Sequence, residues 1–267
     1  MEEHLVQKVV QEVLKRAGQE QDNLGKGSAE TIGNTGPKHP GLTEFVGTAM
    51  GDTIGLVIAN VDPLLHQQMG LDKKYRSIGI IGARTGAGPQ IMAADEAIKA
   101  TNTEIVSIEL ARDTKGGAGH GCLIIFGAEE VSDARRAVEV TLKELPRTFG
   151  DVYASDAGHL EFQYTARASY AIQKAFNAPA GKAFGLIVGA PAAIGVLCCD
   201  TAVKAAEVQV VGYASPAKGT SFSNEAILFM SGDSGAVRQA LIAAREVGIA
   251  LLGSMGDRPA SLGTPYI

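Results

Sequence analysis

Leu5, Val6, Val9, Val10, Val13 and Leu14 recur at helical spacing over residues 1–18, with Lys8, Glu12, Lys15 and Arg16 off that stripe. The chain therefore opens on a short amphipathic helix. From Gly18 to Gly41 the apolar period stops, and Gly, Gln, Asn and Thr take over with two prolines. Such a composition cannot offset its ordering entropy by burial, so residues 19–43 read as a flexible linker. Beyond it, short apolar runs alternate with helical stripes. Strands are predicted at Phe45 to Ala49, Leu56 to Asn60, Ile78 to Ala83, Glu104 to Leu110 and Cys122 to Phe126. A helix starts at the Gly86-Ala87-Gly88-Pro89 turn, with Ile91, Ala94 and Ile98 on one face, and another buries Val131, Ala134, Val138, Leu142 and Leu145.

The pattern then repeats. Glu44-Phe45-x-x-Thr48-Ala49 recurs as Glu161-Phe162-x-x-Thr165-Ala166 at an offset of 117, which also brings Asn60 onto Asn177. Ala94 to Ala100 recurs as Cys199 to Ala205 at an offset of 105. The fall in offset implies an insertion around Leu64 to Lys74 in the first copy, absent from the second. The closing helix of the second copy takes Asp233 or Ser234 as cap, Val237, Leu241, Ala244 and Val247 as stripe, and Gly248 as stop. Two duplicated halves, 44–155 and 156–267, follow an N-terminal helix (1–18) and a linker (19–43). Strands outnumber the short helices, so each half reads as an α+β sandwich.

Composition narrows the function. Hydrophobic residues make up 45% and charged ones 20% of 267 residues, the balance of a soluble globular chain. Aromatics are 5%, and the net charge of −5 with pI near 5.6 argues against nucleic acid, which needs clustered basic residues. The acidic start Met1-Glu2-Glu3-His4 is unlike a secretory signal. The longest uncharged stretch, Ala183 to Cys199, carries three glycines and a proline and reads as strand, turn and helix start, so no membrane partner is expected. Cys122, Cys198 and Cys199 form neither a disulfide framework nor a metal spacing; the adjacent pair reads as packed thiols in a reducing compartment.

The catalytic and cofactor motifs fail on inspection. Gly232-Asp233-Ser234-Gly235 mimics a protease nucleophile, but it lies between a strand and a helix where Asp and Ser act as caps. Gly82 to Pro89 lacks the Gly-Lys-Ser/Thr ending of a phosphate loop. His4, His39, His66, His120 and His159 show no metal-binding spacing. No enzyme activity, metal or cofactor is expected. Two loops exceed simple hairpins: Arg112 to Gly121, containing Thr114, Lys115, Gly116, Gly117, Ala118, Gly119 and His120, and Ser215 to Asn224, containing Pro216, Ala217, Lys218, Gly219, Thr220 and Ser221. Their small side chains suit close backbone approach around a small solute.

From Phe184 to Ala250 the chain runs through a strand, a D-x-x-x-K helix, a Val-Val-Gly-Tyr strand, a Gly-rich loop, an apolar strand and a Ser-Gly-Asp-x-Gly-Ala-Val helix. This order resembles the bacterial microcompartment shell domain. The duplication, and the segments placed before Ile78 and Phe184, resemble the tandem, circularly permuted form of that domain. Glu44 to Ala49, Tyr75 to Ile80, Arg112 to Gly121 and Phe149 to Tyr153 are similar to shell proteins of propanediol-utilisation compartments. The resemblance implies two ferredoxin-like-type sandwiches, and a homotrimer that imitates a hexagon and tiles a cytoplasmic shell with other shell proteins. It implies tile-edge roles for Lys99 and Lys204, paired with Asp95 and Asp200, and passages for small polyols lined by the loops at 114–120 and 216–221. The N-terminal stripe is then expected to dock encapsulated enzymes. A trimeric small-molecule binding or regulatory protein is the competing expectation.

Overall fold

β-Branched and leucine-rich runs bounded by glycine build the strands, and alanine-rich amphipathic segments build the helices that cover them. The computed structural model describes residues 40–110, 121–220, 222–256 and 258–267. The N-terminal stripe from Leu5 to Leu14, the loop from Thr114 to His120, and Ser221 lie outside these.

The first half contains β1 (Phe45–Ala49), β2 (Thr53–Ile58), α1 (Pro63–Gln68), β3 (Ser77–Ala83), α2 (Gly88–Ala100), β4 (Glu104–Glu109), β5 (Cys122–Ala128) and α3 (Val131–Thr148). The second contains β6 (Val152–Ser155), β7 (Gly158–Thr165), α4 (Tyr170–Phe176), β8 (Ala183–Ala190), α5 (Ala192–Ala205), β9 (Gln209–Ala214), β10 (Ala226–Gly232), α6 (Ser234–Gly253) and β11 (Ala260–Ser261). All ladders between these strands are antiparallel, in the orders β1-β2-β3-β5-β4 and β11-β6-β7-β8-β10-β9. The two halves thus share one topology, with β11 added at the edge of the second sheet.

Topology corrects the internal alignment. The counterpart of β1 is β6, and that of β2 is β7, so the offset of 117 slips by one strand. Asn60 follows β2, whereas Asn177 caps the end of α4; both take φ near +50°, a conformation Asn tolerates in turns. The supposed insertion disappears with the slip, because connections 59–76 and 166–182 have nearly equal length and each carries a helix, α1 and α4. β6 pairs with β7, so the second sheet starts at Val152, ahead of the expected boundary at residue 156. Gly248 does not stop α6, which runs on to Gly253. A Cβ there would press on Cys198 Sγ and Leu160; glycine lets α6 lie close against α5 and β7.

One core cluster crosses between the halves. Ile91, Met92, Ala94 and Ala97 of α2 pack with Ala171 and Ile172 of α4 and with Phe184, Leu186 and Val188 of β8. Phe176 stacks on Phe184 at 5.2 Å and on Phe229 at 5.0 Å. The second half has its own cluster around Leu160, Phe162, Ile187, Val237 and Leu241.

Candidate functional site at the junction of the two halves

Strand β7 explains how the junction forms. His159, Glu161, Gln163 and Thr165 alternate with Leu160 and Phe162, a period of two that would ordinarily turn the polar set to water. Here both faces are buried. The apolar set faces the core of the second half, while Glu161, Gln163 and Thr165 meet the first half and His159 meets Glu225 of the second. Gln163 donates to the Thr148 carbonyl of α3 at 2.9 Å. Thr165 Oγ1 lies 3.4 Å from Lys99 Nζ. The carboxylate of Glu161 sits against the start of α2, where a Cβ on Gly88 would collide with it. Glycine at that position is the opening through which the carboxylate reaches the junction.

A small cavity opens beside it. Ala87, Gly88, Ile91 and Leu110 wall it from the first half; Glu161, Phe176, Leu186 and Glu225 are among its walls from the second. Leu110 is the residue before the 111–120 segment, and Glu225 ends the 215–224 loop, so the cavity lies between the bases of the two glycine-rich loops. Burial, reinforced by the neighbouring Glu225 carboxylate, pushes Glu161 up to about 8. Its Oε1 accepts no hydrogen bond among the described residues. His159 Nε2 stands 3.1 Å from Glu225 Oε1, and Ser223 Oγ donates to Glu225 Oε2 at 3.1 Å. An apolar chamber with an unsatisfied carboxylate oxygen favours a small ligand that brings hydroxyl or other donors.

The described part of the second loop is organised by its own backbone. Ser215 and Lys218 exchange two hydrogen bonds of 2.7 and 2.8 Å, Phe222 N donates to the Pro216 carbonyl at 2.8 Å, and Asn224 Oδ1 accepts from Ala192 N at 3.1 Å. Ala217, Lys218 and Gly219 are exposed, while Thr220 is buried with its hydroxyl on Ser223 O. Asp95 and Lys99 also belong to the junction. Asp95 is buried and accepts the Ser169 amide at 2.8 Å and the Ser169 hydroxyl, while Lys99 Nζ lies 2.5 Å from Asp95 Oδ2 and 3.0 Å from Glu96 Oε1. Asp200 and Lys204 form the corresponding pair at 2.7 Å but stand exposed. The two lysines thus share a sequence position and differ in surroundings.

Buried Cys198 and Cys199 are pushed up to about 11 and 12 by desolvation, as packed thiols would be. Asp233 caps α6 by accepting from Gly235 N at 2.9 Å, the structural role expected for that motif. Among the described residues no cluster of His, Cys, Asp and Glu could hold a metal ion, and no helix is long and apolar enough to cross a membrane.

The order of elements, read twice, is that of one known domain. Residues 77–156 and 183–256 match the BMC domain. The chain belongs to the BMC-domain family of bacterial microcompartment shell proteins. It is 64% identical over 265 residues, 98% of each chain, to the bacterial microcompartment shell protein PduB of Citrobacter freundii. A crystal structure of a trimeric bacterial microcompartment shell protein PduB superposes with TM-score 0.81 at 55% identity, covering 85% of this chain and all of that one. EtuB from Clostridium kluyveri gives 0.82 at 59% identity with the same coverage. This BMC-domain chain is a structural shell component and not an enzyme, and it resides in the microcompartment shell.

The cavity residues Glu161 and Glu225, and His159 beside Glu225, were not singled out as a site by the sequence. The available signal was weak: the alternating polar positions His159, Glu161, Gln163 and Thr165 on β7, which a surface strand would show equally well.

Proposed function

We propose that the chain forms a homotrimeric tile in the facets of a propanediol- or glycerol-utilising microcompartment, and that small polyols cross or bind the tile at the junction between the halves. The observation that carries the solute reading is the acid-lined, apolar-walled cavity set between the roots of the two glycine-rich loops. A diol entering it brings both donors and acceptors to Glu161, which burial keeps protonated over the neutral range, and can exchange its water hydrogen bonds in both directions, whereas an aldehyde brings an acceptor alone.

The corresponding place in the other direction around a ring is chemically different. Ala83 and Val188 correspond at the 105-residue offset, and their ladder partners are Thr53 and Glu161. At the same offset Gly88 corresponds to Ala193. A seam built from Thr53 and Ala193 would hold a methyl group where the junction holds a carboxylate. The acidic passages are therefore assigned to the seams inside each chain, beside Leu110 and Glu225.

Trimeric PduB, by its name, supports the assembly. Edge contacts at Lys99 and Lys204 are each worth little, on the order of 0.2–1 kcal/mol for an exposed polar pair, and the repetition of edges across a lattice supplies the rest. Purified protein viewed by electron microscopy is expected to give flat discs or sheets. Discrete trimers under all conditions would instead favour a ligand-binding protein without a shell role.

The amphipathic segment from Leu5 to Leu14 is assigned to encapsulated enzymes, its apolar stripe suiting a hydrophobic groove. Deleting residues 1–18 is expected to leave the tiles intact while cargo enzymes separate from the shell on purification. Unchanged co-purification of cargo would refute that assignment.

A further inference from the structure

The polar groups of the junction cavity are confined to one acid pair. Glu161 and Glu225 are its polar side chains, and the rest of the lining is apolar, with Ile91, Phe176, Leu186, Val188 and Phe229 among it. Glu225 is already engaged: Ser223 Oγ donates to its Oε2 at 3.1 Å, and His159 Nε2 stands 3.1 Å from its Oε1. Among the described residues this leaves Glu161 Oε1, buried and without a hydrogen-bond partner, as the open side-chain position in the wall. The backbone behind the apolar lining adds little. Leu186 and Val188 lie on β8, paired on both sides by β7 and β10, and Phe229 lies on β10, between β8 and β9. Strands flanked on both edges commit their amides and carbonyls to the ladders. The cavity has a volume of about 60 Å³. At roughly 10–15 Å³ for each water-sized occupant it seats about four to six non-hydrogen atoms, the size of a three-carbon alcohol.

We propose that this cavity selects short alcohols by their apolar end, taking three-carbon molecules whose hydroxyls gather at one end, propan-1-ol and propane-1,2-diol, ahead of the triol glycerol. The proposal rests on the solute reading of the cavity, and adds a ligand class, the monohydric alcohol, together with an order of preference. One hydroxyl matches Glu161. Burial holds that acid in its neutral form, which both donates and accepts, as an alcohol does. The alkyl end of the molecule then meets the side chains of Ile91, Leu186, Val188 and Phe229, where each methylene removed from water is favoured roughly fourfold. Propane-1,2-diol keeps a methyl group for that wall and carries its second hydroxyl beside the first, within reach of the same carboxyl. Glycerol has a hydroxyl on every carbon. One of them is pressed against the apolar lining, loses its water and finds no partner, which lowers affinity on the order of tenfold or more.

The test is a titration of the full chain, isotope-labelled on its isoleucine, leucine and valine methyl groups, with propan-1-ol, propane-1,2-diol and glycerol in turn. Methyl NMR signals of Ile91, Leu186 and Val188, all in the wall, report occupancy. Saturable shifts are expected with propan-1-ol and propane-1,2-diol, and glycerol is expected to need a concentration roughly tenfold higher or more for the same shift. Glycerol binding as tightly as propan-1-ol overturns the selectivity and leaves the solute reading standing. The absence of a saturable shift with all three alcohols overturns the solute reading itself. A second measurement places a hydroxyl in the apolar wall with Val188→Thr, a change of nearly constant shape. Glycerol is expected to gain on propan-1-ol by roughly threefold or more in this variant, with an unchanged circular dichroism spectrum. An unchanged ratio in the folded variant would show that the wall does not do the selecting and would overturn the proposal. The titration of the parent chain decides the order of preference even where this variant fails to fold.

Discussion

Replacing Asp151 by alanine is expected to remove about 3–5 kcal/mol of folding stability, the usual cost of stripping one partner from a buried ion pair. Asp151 is wholly buried, and its Oδ1 lies 2.6 Å from Arg245 Nη1 and accepts the Tyr153 hydroxyl at 3.2 Å. Oδ2 accepts the backbone amides of Tyr266 and Ile267 at 2.8 and 3.0 Å, and Arg245 closes the ring by donating to the Ile267 carbonyl at 3.0 Å. The substitution leaves a guanidinium largely out of water with no counter-charge and frees the last residues of the chain. Asp151 also sits where the chain passes from α3 into β6, next to Phe149 and Val152, which pack with Leu145 and Ala93 of the first half. Its loss therefore loosens the crossing between halves as well as the tail. Urea titration of the parent and variant gives the stability difference, and hydrogen exchange at residues 264–267 gives the local one. A loss below about 1 kcal/mol, typical of a surface substitution, would show that the network is dispensable.

Glu161→Gln is expected to stabilise the protein under alkaline conditions and to leave it nearly unchanged under acid ones. Burial and the nearby Glu225 charge push Glu161 up to about 8 from an ordinary 4.5. Between those values the folded chain keeps a proton that the unfolded chain releases. The unfolded state then binds fewer protons, so stability falls as pH rises through that window and levels off above it. Glutamine has the shape of the protonated acid and no charge to bury. The variant is expected to exceed the parent by on the order of 5 kcal/mol at pH 9, and to match it near pH 4. Thermal or urea unfolding across this range, parent against variant, cancels the titration of all other groups. Parallel profiles would mean that Glu161 is ionised in the folded state, and the cavity would then be a site for a cation rather than for a neutral hydroxyl donor.

Much of the architecture was legible because the local signals agreed with one another. The β3, α2, β4, β5 and α3 succession follows from apolar runs, the Pro89 helix start and the stripe through Val138 and Leu145, and its repetition from Phe184 onward carried the family resemblance. The first strands of each half were harder. Glu44 to Ala49 and Glu161 to Ala166 share residues without sharing a place in the sheet, and aligning them moved one copy by a whole strand and created a false insertion. Only the ladder partners, Thr53 with Ala83 and Glu161 with Val188, remove that ambiguity. Gly248 was misread because a glycine near the end of a stripe resembles a stop, whereas its purpose is a close helix contact set by Leu160 and Cys198. The junction was hidden for a related reason: the polar face of β7 looks like a surface until a second domain covers it. Burial by a neighbouring domain leaves no periodic mark on a strand whose buried polar residues are kept polar for another purpose.

The contact of α4 on α2 has a kinetic consequence. Because both sides belong to one polypeptide, that interface forms at an effective concentration fixed by the intervening chain and is insensitive to how much protein the cell contains. Alternate joints of the ring are thus prefabricated, and dilution acts only on the remaining ones. A cell making little of this subunit would still hold half-finished arcs ready to meet, which lowers the order of the assembly reaction compared with a ring drawn from separate single domains.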